Sequence, residues 1–200
     1  MSTLIAARCA SVPFGIVVAI LALTVVWSSR VAAQEEVDTA DELLLLATNR
    51  TGAMSEELED AAGRGYRLVS AAGGNGSTEI LVALVPTGER YEYRLVATER
   101  TSSFERELND HARDGFRVVP RAVTTKFNTS LLRGDNYELL AIMEKAPSPL
   151  PSMQYRILAT SRTGTLQDEL RDARGEGWAL VTLIVRGEVL AMLEKSRPGE

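Results

Sequence analysis

The chain says nearly the same thing three times. Segments Leu43–Val69, Tyr93–Val119 and Tyr155–Val181 align without gaps over 27 positions each. All share A-T-x-R-T, then E-L-x-D, then G-aromatic-x-[LV]-V. A short apolar stretch follows each segment: Glu79–Val85, Glu138–Lys145 and Glu188–Lys195. Self-similarity at a fixed period means one supersecondary unit reused, so the fold must satisfy the same local pattern three times. The spacer Pro86-Thr87-Gly88-Glu89 follows the first copy, and a proline-rich spacer, Ala146–Ser152, follows the second.

Each copy reads as strand, helix, strand, strand. In the first strand Tyr93, Leu95 and Ala97 alternate with Arg94, Val96 and Thr98, the period of a pleated strand. Phe104, Leu108 and Ala112 recur every fourth residue, one stripe of a helix. Ser102 with Glu105, and Thr165 with Asp168, have capping-box spacing for the helix start. Gly65, Gly115 and Gly177 suit the left-handed residue that closes a helix, and Tyr66, Phe116 and Trp178 follow them into the core. The last strand is apolar at every position (Ile80–Val85, Leu139–Met143, Val189–Leu193), as expected of a strand buried on both faces. That places it in the middle of its sheet. The predicted fold is α+β, with three tandem β-α-β-β repeats at 34–86, 91–145 and 153–195. Each is a three-stranded antiparallel or mixed sheet of order 1-3-2 with one helix on one face. Units this small are marginal alone, so the three are expected to pack their open sheet faces together with approximate threefold character.

Residues 1–33 read as a signal peptide: Arg8, an uncharged apolar run from Val12 to Trp27, and the small-residue site Val31-Ala32-Ala33. Cleavage near Ala33 would leave an exported, periplasmic or secreted chain; the rival reading is an N-terminal membrane anchor. Without Arg8 and Arg30 the chain carries 20 basic and 27 acidic residues, a net charge of −7. Basic residues interspersed with acids supply no phosphate-binding patch, which argues against nucleic acid as a partner. No membrane span is expected beyond the leader. Cys9 is the only cysteine and His111 the only histidine, so thiolate or clustered-histidine metal sites, disulfides and His-based dyads lack their parts. No cofactor is expected.

The stretches Tyr93-Arg94-Leu95-Val96, Glu107-Leu108-Asn109-Asp110 and Gly177-Trp178-Ala179-Leu180-Val181 resemble DUF4177, a domain family of unknown function. The resemblance spans nearly the whole chain after the leader, three times over. It implies a βαββ fold and no activity. The triplication and the leader depart from the family's short single-domain form.

Five polar positions recur in every copy: Thr48/Thr98/Thr160, Arg50/Arg100/Arg162, Thr51/Thr101/Thr163, Glu57/Glu107/Glu169 and Asp60/Asp110/Asp172. An Arg-Thr pair just before a helix has the makings of an anion site, since the first N–H groups of a helix favour negative charge. The competing reading is structural: Thr turns the chain, Arg pairs with the acid seven residues on, and early acids suit the helix dipole. The Glu and Asp three apart share a helix face, but a carboxylate acid/base pair needs a cleft and separated pKa values. His111 stands where the other copies have Ala61 and Ala173, which argues for packing rather than catalysis. The stretch Ala71–Ser77 is glycine-rich without a phosphate-loop pattern and reads as a hairpin loop. Pro120–Tyr137 is the longest insertion. It reads as an extended hairpin loop, with Lys126, Phe127 and Arg133 as candidate partner contacts. Asn49, Asn75 and Asn128 each head an N-x-S/T triplet.

The pattern points to a non-catalytic exported protein, a protein-binding or self-associating module of the cell envelope. The alternative is a small-anion or small-ligand binder using the Arg-Thr sites. An enzyme with carboxylates at an inter-unit cleft is the third reading.

Overall fold

A computed structural model describes residues 43–74, 77–130 and 134–197. The leader with its Ala33 site, Cys9, Asn75 and Arg133 lie outside the described residues. The first copy comprises β1 (Leu44–Thr48), α1 (Thr51–Gly63), β2 (Tyr66–Gly74) and β3 (Ser77–Pro86). The second comprises β4 (Glu92–Thr98), α2 (Thr101–Arg113), β5 (Arg117–Ser130) and β6 (Gly134–Lys145). The third comprises β7 (Met153–Thr160), α3 (Thr163–Gly175), β8 (Ala179–Val185) and β9 (Val189–Ser196). The three sheets have the orders β1-β3-β2, β4-β6-β5 and β7-β9-β8, and every pairing is antiparallel. The continuous apolar strand is therefore the central one in all three copies. The fold is α+β, with three tandem three-stranded sheets, each carrying one helix, packed with repeat and threefold character inside one compact unit.

Local chemistry sets the helix ends. Each helix closes at a glycine with φ of 84°, 87° or 89° (Gly65, Gly115, Gly177), a conformation that penalises a Cβ. The helix starts differ from the capping-box expectation. The boundary residues are Arg50, Arg100 and Arg162, in extended conformation and without a side-chain cap. Each helix begins at the following threonine, ahead of Ser102 and Thr165. The turn is made instead by the threonine two residues earlier, whose Oγ1 accepts the arginine N–H: Thr48 at 3.2 Å, Thr98 at 3.2 Å and Thr160 at 3.1 Å.

The copies stack helix against sheet, not open sheet face against open sheet face. Met54, Leu58, Ala61 and Ala62 of α1 share one core with Ile80, Val82 and Leu84 of their own sheet. Tyr93, Leu140 and Ile142, from the far side of the second sheet, complete that core. Phe104, Leu108 and Ala112 of α2 are likewise clasped between Leu139, Ala141 and Met143 and the back of the third sheet, with Tyr155, Leu190 and Met192. One helix thus supplies the core for two sheets, which is how units of this size escape the surface penalty of small domains. The double burial expected of the central strand holds for β6 and β9. In β3 only the helix side (Ile80, Val82, Leu84) is covered, and Leu81 is exposed.

Strands β2 and β5 run close together where the first two sheets meet. The expected glycine-rich loop is mostly strand, because β2 continues to Gly74. Gly73 has a close-packing role: a Cβ there would lie 2.7 Å from the carbonyl oxygen of Thr125. Gly73→Ala should therefore force two backbones apart, at about 1–3 kcal/mol, the usual cost of overpacking. Urea unfolding of the variant beside Gly52→Ala, a position with open space, checks this.

Candidate functional site

A register shift recurs in each second strand, and in the first two copies the unit-to-unit contact lies beside it. The β2, β5 and β8 ladders all shift register just after Leu68, Val118 and Leu180. In the first two copies the last residue before the shift, still in register with the central strand, gives its backbone N–H to the next copy. The Leu68 N–H donates to the Tyr93 hydroxyl oxygen at 2.8 Å, and the Val118 N–H to that of Tyr155 at 2.8 Å. A charged pair closes each junction. Arg67 donates to both Glu144 oxygens at 3.0 and 3.2 Å, and Arg117 to both Glu194 oxygens at 2.6 and 3.4 Å. In the first junction the Tyr93 hydroxyl also donates to Glu144 Oε2 at 3.2 Å. The bidentate geometry fixes orientation as well as adding attraction.

The helices contribute as well. Asn109 on α2 holds both backbone groups of Tyr155, accepting its N–H at 3.0 Å and donating to its carbonyl at 2.8 Å. Glu105 accepts the Ile157 N–H at 2.7 Å. Side chains of one helix thereby satisfy the outer backbone of the next copy's edge strand, a row that would otherwise invite foreign pairing.

Burial pushes the Tyr155 phenol up to about 12, with the Glu194 charge adding, while the Val118 N–H and the Arg117 charge act the other way. Burial raises Tyr93 too. A phenol that ionises later in the fold than in the unfolded chain supports the fold fully below about pH 10. That support is lost as pH rises from about 10 to 12, because the unfolded chain releases its proton first. Stability is expected to fall there by about 1.4 kcal/mol per pH unit for each such tyrosine. Tyr155→Phe should flatten the fall, and at neutral pH it should cost about 1–3 kcal/mol by orphaning the Val118 amide. Urea titrations at several pH values read both effects.

Arg50, Arg100 and Arg162 are exposed, each at its own helix start beside Thr51, Thr101 or Thr163. No ion pair links Arg50 to Glu57, Arg100 to Glu107 or Arg162 to Glu169 among the described residues; the expected pairing is not made. Asp60 pairs with Arg64 and Asp110 with Arg113 on their own helices, in solvent. His111 lies edge-on to Phe116, with ring centroids 6.1 Å apart. The insertion 120–137 forms most of a long hairpin, β5 with β6, as the extended-hairpin reading expects. Lys126 is buried there, 3.8 Å from Glu138, and Phe127 packs on Tyr137. A polar groove of 330 Å³ lies where all three copies converge, lined by Gly73, Thr125, Tyr137 and Arg186 among others. Arg186 is already committed to the carbonyls of Glu99 and Tyr137 at 2.8 and 3.0 Å. No cluster of metal-ligating side chains and no helix long and apolar enough to cross a membrane occurs among the described residues.

Sequence reasoning missed the two end surfaces. The back of the first sheet shows Leu43, Leu45 and Leu81 at 58, 60 and 39% exposure. Beside α3, β8 shows Leu180, Leu183 and Val185 at 51, 53 and 74%. These six, with Leu150 of the proline-rich spacer, are the exposed large hydrophobics of the described residues. A groove of 590 Å³ between α3 and β8, lined by Gln167, Leu170, Arg171, Arg174 and Leu180 among others, adjoins the second patch. Comparison with protein-family models, with curated proteins and with solved structures returned no match.

Proposed function

We propose that the chain is a non-catalytic assembly module of the cell envelope, exported by its leader, which binds a protein partner through its two end surfaces. The repeated unit is taken as DUF4177-like, a likeness that brings no activity. The observation that carries the reading is the placing of the exposed leucines. Repeat arrays that end in solvent normally finish in polar caps, whereas both ends here present exposed apolar residues, and Arg171 and Arg174 flank the second patch, the makeup of an interaction surface. The two-pronged pairs Arg67–Glu144 and Arg117–Glu194 are engaged in holding copies together.

The test is capture from a native envelope extract with the full chain as bait, beside Leu183→Asp and Leu45→Asp. A partner held by the parent chain and lost with either variant supports the reading. A partner retained by both variants, or none captured, contradicts it. Deleting 120–137 is a poor test, because Ala122, Thr125 and Lys126 of that stretch are buried and their loss would unmake the second sheet.

A further inference from the structure

We infer that the partner of each end surface is the opposite end of a second copy of this chain, joined head to tail in the geometry of the two internal junctions. The inference rests on the assembly reading above and names the partner.

The two ends are the unpaired halves of one contact. Inside the chain, the back of a sheet receives the helix and second strand of the preceding copy. Leu43, Leu45 and Leu81 occupy in the first sheet the places that Tyr93, Leu95 and Leu140 occupy in the second, and Tyr155, Ile157 and Leu190 in the third. Leu180 likewise stands where Leu68 and Val118 stand, and Gln167 where Glu105 stands. Among the described residues no helix lies over the back of the first sheet, and no sheet lies against the outer side of α3.

The two halves have also changed together. Internal junctions join an arginine to a glutamate and a tyrosine. At the open ends the arginine position is Ala179, and the glutamate and tyrosine positions are Val85 and Leu43. Loss of one side alone would strand a charge against an apolar surface. Loss of both leaves apolar against apolar, the arrangement that survives burial. Gln167 keeps the side-chain carbonyl that would accept the outward Leu45 N–H, as Glu105 accepts that of Ile157. Because the surfaces differ, the contact is heterologous and must run from the third copy of one chain to the first of the next.

The experiment uses the full chain in a Cys9→Ser background, with Leu45→Cys in one preparation and Gln167→Cys in another, both at exposed positions, and a short bis-maleimide. Mixed preparations are expected to give a linked pair and each alone none; the doubly substituted chain should give a ladder. Sedimentation of the unlinked parent should show reversible association, with Leu45→Asp raising its midpoint concentration roughly tenfold or more. Linked pairs from the Leu45→Cys preparation alone would overturn the inference in favour of a symmetric back-to-back contact. A parent chain that sediments as a monomer and does not cross-link in the mixture would overturn it too. If that monomer still captures an envelope protein that Leu183→Asp loses, the partner is foreign and the assembly reading stands; if it captures none, both fall.

Discussion

Leu140→Ala and Leu190→Ala should each cost about 2–5 kcal/mol, and Leu81→Ala less than about 1 kcal/mol. The three leucines hold the same position in the central strand of their copies. They differ only in what lies over them: exposure is 1% for Leu140, 0% for Leu190 and 39% for Leu81. The first two are roofed by the helix of the preceding copy, so shortening them leaves a cavity that the surrounding core cannot close. Leu81 has no such roof among the described residues, and water follows the truncation. Urea unfolding of the three variants reads the series. Equal losses at all three positions would mean that the preceding helix contributes nothing.

Phe104→Ala should cost about 3–5 kcal/mol, the range for deleting a fully buried ring. Its more telling effect is on the neighbouring copy. Phe104 belongs to α2, yet its core includes Tyr155, Leu190 and Met192 of the third sheet. In a Trp27→Phe background, fluorescence from Trp178 reports the third copy alone. Its transition should move down together with the far-ultraviolet dichroism of the whole chain. A Trp178 transition that stays in place would show the copies melting independently.

Much of the fold was legible because one short pattern recurs. The continuous apolar run in Leu139–Met143 marked the central strand, and Gly115 marked the end of α2, each for a local reason that holds in any surroundings. The helix starts differ from the expectation because Ser102 and Thr165 have cap chemistry, while the turn is made by Thr98 and Thr160, four and five residues earlier. Local hydrogen bonding chose between two competent residues there, and spacing could not rank them.

The end surfaces leave no residue pattern common to every copy. A serial contact leaves a different trace. Its donor appears in all copies but the last, and its acceptor in all but the first. Arg67 and Arg117 against Ala179, with Glu144 and Glu194 against Val85, follow that staggered rule. The arginines found in all three copies, Arg50, Arg100 and Arg162, instead mark the boundary before each helix. Lys126 lies buried beside Glu138 in the β5–β6 hairpin, and Phe127, half-buried, packs on Tyr137; an insertion marks an extension of the sheet as readily as a recognition loop.

Amide hydrogen exchange at Leu68, Val118 and Leu180, followed by NMR in the dilute chain, bears most directly on the central claim that two junctions are clamped and the third stands open. Leu68 and Val118 should exchange slowly, each becoming fast when Tyr93 or Tyr155 respectively is replaced by phenylalanine, while Leu180 exchanges fast from the outset. Equal exchange at all three amides, unmoved by either tyrosine substitution, would contradict the account.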